Sequence, residues 1–182
     1  MAQSSPSIPT FILELSLEPR IIQDTVKAIL HAIVFHRIFD NVRPREFTTL
    51  DIPCVAVDNP EVHEHIQEKA EAFSSMFQGD PSRSKGEEKR PKKAWFGKQE
   101  EPSWEKWVIA ITTRTANSER EFYQMKPSLE AQLLEAMYTV VRIANEYKEH
   151  IPPITANTPA PFPFQVVLPT VGDSWSSMFK RI

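Results

Sequence analysis

Cysteine is almost absent from this 182-residue chain. The single thiol, Cys54, excludes an internal disulfide framework and a cysteine-built metal site, and it suits a reducing compartment. Glycine is scarce as well. Four glycines are a poor supply for an enzyme that must wrap backbone around phosphates, and no G-x-G-x-x-G, G-x-x-x-x-G-K-S/T or G-x-S-x-G pattern occurs. Nowhere do about 18 uncharged apolar residues follow one another, so no membrane span is expected. The opening MAQSSPSIPT has neither the basic start nor the apolar run of a signal peptide. No excess of one charge exists either. Twenty-one Lys and Arg against 24 Asp and Glu leave a formal charge of -3, which gives no global attraction to nucleic acid or anionic lipid.

What is present is enough for one domain, since 41% of the residues are hydrophobic. FILELSL (Phe11 to Leu17) alternates strictly and predicts a half-buried strand. In RIIQDTVKAILHAIVFHRIF the positions Ile22, Val26, Ile29, Leu30, Ile33 and Val34 have helical spacing, with Pro19 at the mouth. Apolar on more than one stripe, this helix is expected to lie centrally against a sheet. FTTLDIPCVAV (Phe47 to Val57) predicts one further strand, with Pro53 marking an edge or bulge. Asn59 then caps a helix that begins with Pro60 and carries the stripe Val62, Ile66, Ala70, Phe73 and Phe77, stopped by Gly79.

From Asp80 to Ser103 neither period is found, and cations from Arg83 to Lys98 outnumber acids. A structureless stretch of this length is uncommon in a compact domain and tends to be functional or disordered. WEKWVIAITTRT (Trp104 to Thr115) returns to alternation, with Trp107, Ile109 and Ile111 on one side. Ser118 and Glu121 form an S-x-x-E capping box opening a helix to about Tyr147, in which Pro127 is expected to produce a kink or a split. Prolines cluster from Pro152 to Pro169, around a short predicted strand at Phe162 to Leu168. Three main helices against a sheet of at least four strands place the chain in the α+β class.

Chemistry is hard to find. In VHEHIQE, His63 and Glu64 are followed by Gln67 where a zinc-protease helix needs its second histidine, and His63 and His65 point about 200° apart on a helix. His31 and His36 are also poorly spaced for one ion; His31 is expected to be a hydrogen-bonded histidine near the core edge. Cys54 is expected to be a buried, inert thiol. Carboxylates look scattered over solvated helix faces. No catalytic, cofactor or metal residues are assigned, and an enzyme is not expected.

Trp95 and Phe96 stand side by side within KKAWFGKQEEPSW, flanked by Lys92, Lys93, Gly97 and Lys98. Adjacent residues of an extended chain point to opposite sides, so one pocket does not easily take both rings. Exposed together they make a sticky tip, worth about 3–6 kcal/mol on burial before association costs, which suits recruitment rather than a permanent interface. An alternative use of the basic 83–98 stretch is nucleic-acid binding, with cations following the phosphates and the two rings stacking on bases.

ILELSLEPRIIQDTVKAILHAIVFHR, PSWEKWVIAITT, YKEHIPPITANTP and PFPFQVVLP together resemble the autophagy-related protein 101 family, over most of the chain from Ile12 to Leu168. The resemblance implies a HORMA domain, with three main helices packed on a mostly antiparallel sheet and a C-terminal safety-belt segment. The expected organisation is a disordered N-terminus at 1–10, the HORMA domain at 11–170 with a long loop at 80–103, and a tail at 171–182. It further implies a non-catalytic, cytoplasmic adaptor at the preautophagosomal structure. Such an adaptor forms a heterodimer with the HORMA domain of autophagy-related protein 13 and needs no cofactor. Trp95 and Phe96 match the family's WF finger, which recruits downstream autophagy factors. In the family a proline separates the two rings, whereas here they are contiguous. The chain also ends soon after Leu168, so a C-terminal element is expected to be short or missing.

Overall fold

A computed structural model describes residues 8–38, 42–77, 104–153 and 164–168. The elements in chain order are β1 (Thr10–Leu17), α1 (Ile22–Arg37), β2 (Pro44–Thr49), β3 (Ile52–Val57), α2 (Pro60–Ser75), β4 (Lys106–Thr113) and α3 (Glu119–Glu146). This is an α+β arrangement with three helices, as the periodicities predict. The strands differ from expectation. Among the described residues they form two separate pairs: β1 lies parallel to β4 and β2 lies antiparallel to β3. The expected mostly antiparallel sheet of four strands is therefore not formed among these residues.

The single strand predicted over Phe47 to Val57 is in fact the end of β2, a tight turn and the whole of β3, which pair as a hairpin. Leu50 and Asp51 both have positive φ, 50° and 60°, which closes a two-residue turn between β2 and β3. Such turns usually announce themselves with Asn-Gly or Asp-Gly, and Leu-Asp does not. Leu50 pays for its left-handed backbone by packing on the core, and Asp51 pairs with Lys126 of α3.

Capping follows the sequence closely. Asn59 Oδ1 accepts from the N–H groups of Glu61 and Val62 at 3.0 and 3.2 Å, which starts α2. Ser118 Oγ accepts from Glu121 N–H at 3.1 Å, while the Glu121 carboxylate reaches back to Asn117 N–H at 2.8 Å. That return bond lands one residue earlier than in the usual capping box. α3 is not split at Pro127. The proline sits on the exposed face, as does Tyr123 one turn before it, whose carbonyl loses its donor there and can take water instead.

α1 is the hub. Ten of its sixteen residues are buried, and it packs against α2, α3 and β3. The main core joins Leu13, Leu15 and Leu17 of β1 to Ile22, Ile29, Leu129, Leu133 and Val140. Each fully buried aliphatic side chain contributes roughly 1.5–3 kcal/mol. A second cluster, Val34, Ile38, Val57, Val62 and Ile66, is covered by Phe164. Residues 164–168 are not a strand. Their apolar pattern serves docking of Phe164 on the helices, and the flanking prolines, Pro163 and Pro169, lack the N–H a ladder needs.

Candidate functional site

The predicted recruiting residues, Trp95 and Phe96, lie outside the described residues, as do 1–7 and 169–182. Both flanks of the segment that carries the two rings are described. On one side α2 ends at Ser75, and Phe73 and Phe77 meet edge to face with centroids 5.1 Å apart against the main core. On the other side the chain enters β4 through Trp104 and Glu105, whose side chains join a network of hydrogen bonds and ring contacts.

Glu105 is the centre of this mount. Its Oε1 accepts from Arg37 Nε at 2.9 Å and from Trp107 Nε1 at 2.8 Å, and its Oε2 lies 2.9 Å from His150 Nε2. The Glu105 and Arg37 side chains are only 7% and 8% exposed, so the pair is a buried one. Arg37 also donates through Nη1 and Nη2 to the carbonyls of Ala144 and Tyr147, both at 3.2 Å. These carbonyls belong to the end of α3, where a cation also complements the helix dipole. Rings enclose the charges. Trp104 lies 5.6 Å from His150 and 5.9 Å from the Arg37 guanidinium, while Phe11 contacts Trp107 and Tyr147 at 4.9 and 5.5 Å. One carboxylate thus ties the entry of β4 to the last residue of α1 and the C-terminal end of α3.

The reading of the carboxylates as scattered over solvated helix faces misses Glu105, which stands at the entry of a strand with its side chain buried. The signal was available: alternation through Trp107, Ile109 and Ile111, extended two residues back, puts Glu105 on the inward face. The apolar stripe of α1 likewise runs through Ile33 and Val34 to Arg37. An inward acid and an inward base at those positions have to be partnered.

The histidines are arranged differently from expectation. His31 is fully buried, and neither ring nitrogen has a hydrogen-bond partner among the described residues. It is not at the core edge. Its ring stacks on His63 of α2 at 5.3 Å and meets Phe47 edge-on at 5.6 Å. Burial, aided by His63, Lys27 and Arg45, pushes its pKa down to about 4, and burial lowers that of His63 too. His65 turns away to Phe164. The α2 histidines therefore diverge as the spacing predicts. Among the described residues no group of three or more His, Cys, Asp or Glu could hold a metal. Cys54 is buried, and burial pushes its thiol up, which disfavours the reactive thiolate. No helix among the described residues is long and apolar enough to cross a membrane.

Comparison with known proteins adds an independent finding. The family model described as autophagy-related protein 101 matches residues 14–158. Autophagy-related protein 101 of Schizosaccharomyces pombe is 30% identical over 181 residues, covering 95% of this chain and 94% of that protein. Its counterpart in Arabidopsis thaliana is 29% identical over 197 residues, covering 93% of this chain and 91% of that protein.

Proposed function

Because the chain belongs to the autophagy-related protein 101 family, we propose that it is a non-catalytic adaptor of the autophagy-initiation kinase complex. In this reading residues 11–170 are a HORMA domain that pairs with the HORMA domain of autophagy-related protein 13 in the cytoplasm and at the preautophagosomal structure. Trp95 and Phe96 recruit downstream factors. The observation that carries the reading beyond the family is the Glu105 mount. A recruiting tip transmits force and orientation only if its root is fixed, and the root of this segment enters β4 beside a buried carboxylate bonded to α1, β4 and His150.

Binding of a partner that recognises only the folded chain stabilises it by mass action. At a partner concentration 100 times Kd the gain is about 2.7 kcal/mol, which for a chain of this size raises Tm by roughly 5–10 °C. Differential scanning fluorimetry with and without the HORMA domain of autophagy-related protein 13 reads this directly. An unchanged Tm at saturating partner contradicts the pairing.

A further inference from the structure

Strand residues turn their backbone groups alternately to the two edges. The carbonyls of Pro9 and Leu17 face β4, accepting from Lys106 N–H at 2.9 Å and Arg114 N–H at 2.8 Å. The even-numbered residues from Thr10 to Ser16 therefore present N–H and C=O to the opposite edge. At Ser16 a side chain replaces a neighbouring strand. The Gln132 carboxamide accepts from Ser16 N–H at 2.7 Å and donates to Ser16 C=O at 3.1 Å. One amide of α3 thus makes the paired exchange of a β ladder.

Past Gln132 the edge continues through Glu14 and Ile12 with no strand beside it among the described residues. It opens there on a groove lined by Ile12, Glu14, Gln132, Glu135, Ala136 and Thr139. Ala136 and Thr139 are small, and Ile12 is 47% exposed. The two ionised residues of the lining, Glu14 and Glu135, are both acids, and no Lys or Arg lines the groove.

We propose that this edge accepts an extended segment of a partner protein as an added strand, paired to Ile12 and Glu14. The segment places alternate Lys or Arg on the face shared by Ile12, Glu14 and Glu135, the ammonium or guanidinium groups toward the two carboxylates and the aliphatic stems along Ile12. Main-chain bonds supply affinity in this mode, and side-chain alternation supplies selectivity. Charge fixes the occupant. A second copy of β1 would bring another Glu14 into an acidic groove, and like charges across a strand pair are unfavourable. The proposal does not rest on the role of Trp95 and Phe96.

The test is NMR titration of the ¹⁵N-labelled full chain with an acetylated, amidated Lys-Val octapeptide, alternating throughout, against its Glu-Val counterpart. The Lys-Val peptide is expected to shift the amides of Ile12, Glu14 and residues 135–139 and to slow exchange at Ile12 and Glu14. The Glu-Val peptide is expected to bind roughly tenfold more weakly or not at all. Ile12→Pro removes an outward donor without touching the β4 ladder, and it is expected to abolish the shifts with the far-UV spectrum unchanged. The surface pair Glu14→Lys with Glu135→Lys is expected to reverse the peptide preference. Absence of binding, shifts elsewhere, or equal binding of both peptides overturns the proposal. Concentration-dependent broadening of β1 without peptide also overturns it, in favour of a second copy.

Discussion

Glu105→Ala is expected to lower the unfolding free energy by about 3–5 kcal/mol, the usual cost of removing one partner from a buried ion pair. The substitution leaves the Arg37 guanidinium in a site where its side chain is 8% exposed, with the carbonyls of Ala144 and Tyr147 as its remaining acceptors among the described residues. It also strips an acceptor from Trp107 Nε1 and separates His150 from β4. Urea denaturation at neutral pH measures the loss. Because a buried charge costs more alone than paired, the double variant Arg37→Met with Glu105→Leu is expected to recover most of it. A loss below about 1 kcal/mol for Glu105→Ala would place the pair among weak surface bridges and remove the mount from the account.

Acid is expected to destabilise the fold through His31. The native state holds its pKa at about 4, whereas an unfolded histidine titrates near 6.5. Between those values the unfolded chain binds the extra proton, so stability is full above about pH 6.5 and falls as pH drops toward 4. The loss from this one residue is about 3 kcal/mol when complete. His63, also held low, adds in the same direction. The groups facing His31 reinforce the penalty: His63 on α2, Lys27 on its own helix and Arg45 on β2 carry or acquire positive charge, and Phe47 offers only a ring edge. His31→Leu has a similar volume and no orphaned nitrogens. It is expected to flatten the dependence between pH 7 and 4 and to leave the protein as stable or more stable at pH 7. A parental protein whose urea midpoint is constant across that range contradicts the buried, unpartnered imidazole.

Elements with a strong period were legible in the sequence. The alternation of β1 and β4, the stripe of α1, and the caps at Asn59 and Ser118 all stand where local chemistry puts them. What was not legible depended on partners distant in sequence. Nothing local reveals that Leu50 and Asp51 take positive φ, because packing of the half-buried Leu50 on the core and pairing of Asp51 with Lys126 supply the compensation. Periodicity cannot distinguish a parallel from an antiparallel neighbour, and β1 pairs with a strand that begins 89 residues after its own end, from Leu17 to Lys106. The meeting of His31 with His63 requires knowledge of how α1 crosses α2. The Glu105 cluster was half legible: its inward face follows from alternation, whereas its partners, Arg37 and His150, come from the ends of two other segments.

The central claim is that a firmly mounted domain carries Trp95 and Phe96 for other proteins to bind. The most direct measurement is the double variant Trp95→Ala with Phe96→Ala, tested in parallel for urea stability, pairing with the HORMA domain of autophagy-related protein 13, and capture of downstream autophagy factors. Expected are an unfolding free energy within about 0.5 kcal/mol of the parent, retained pairing and lost capture. A loss of several kcal/mol, which would assign both rings to the chain's own core, or capture at the parental level would contradict it.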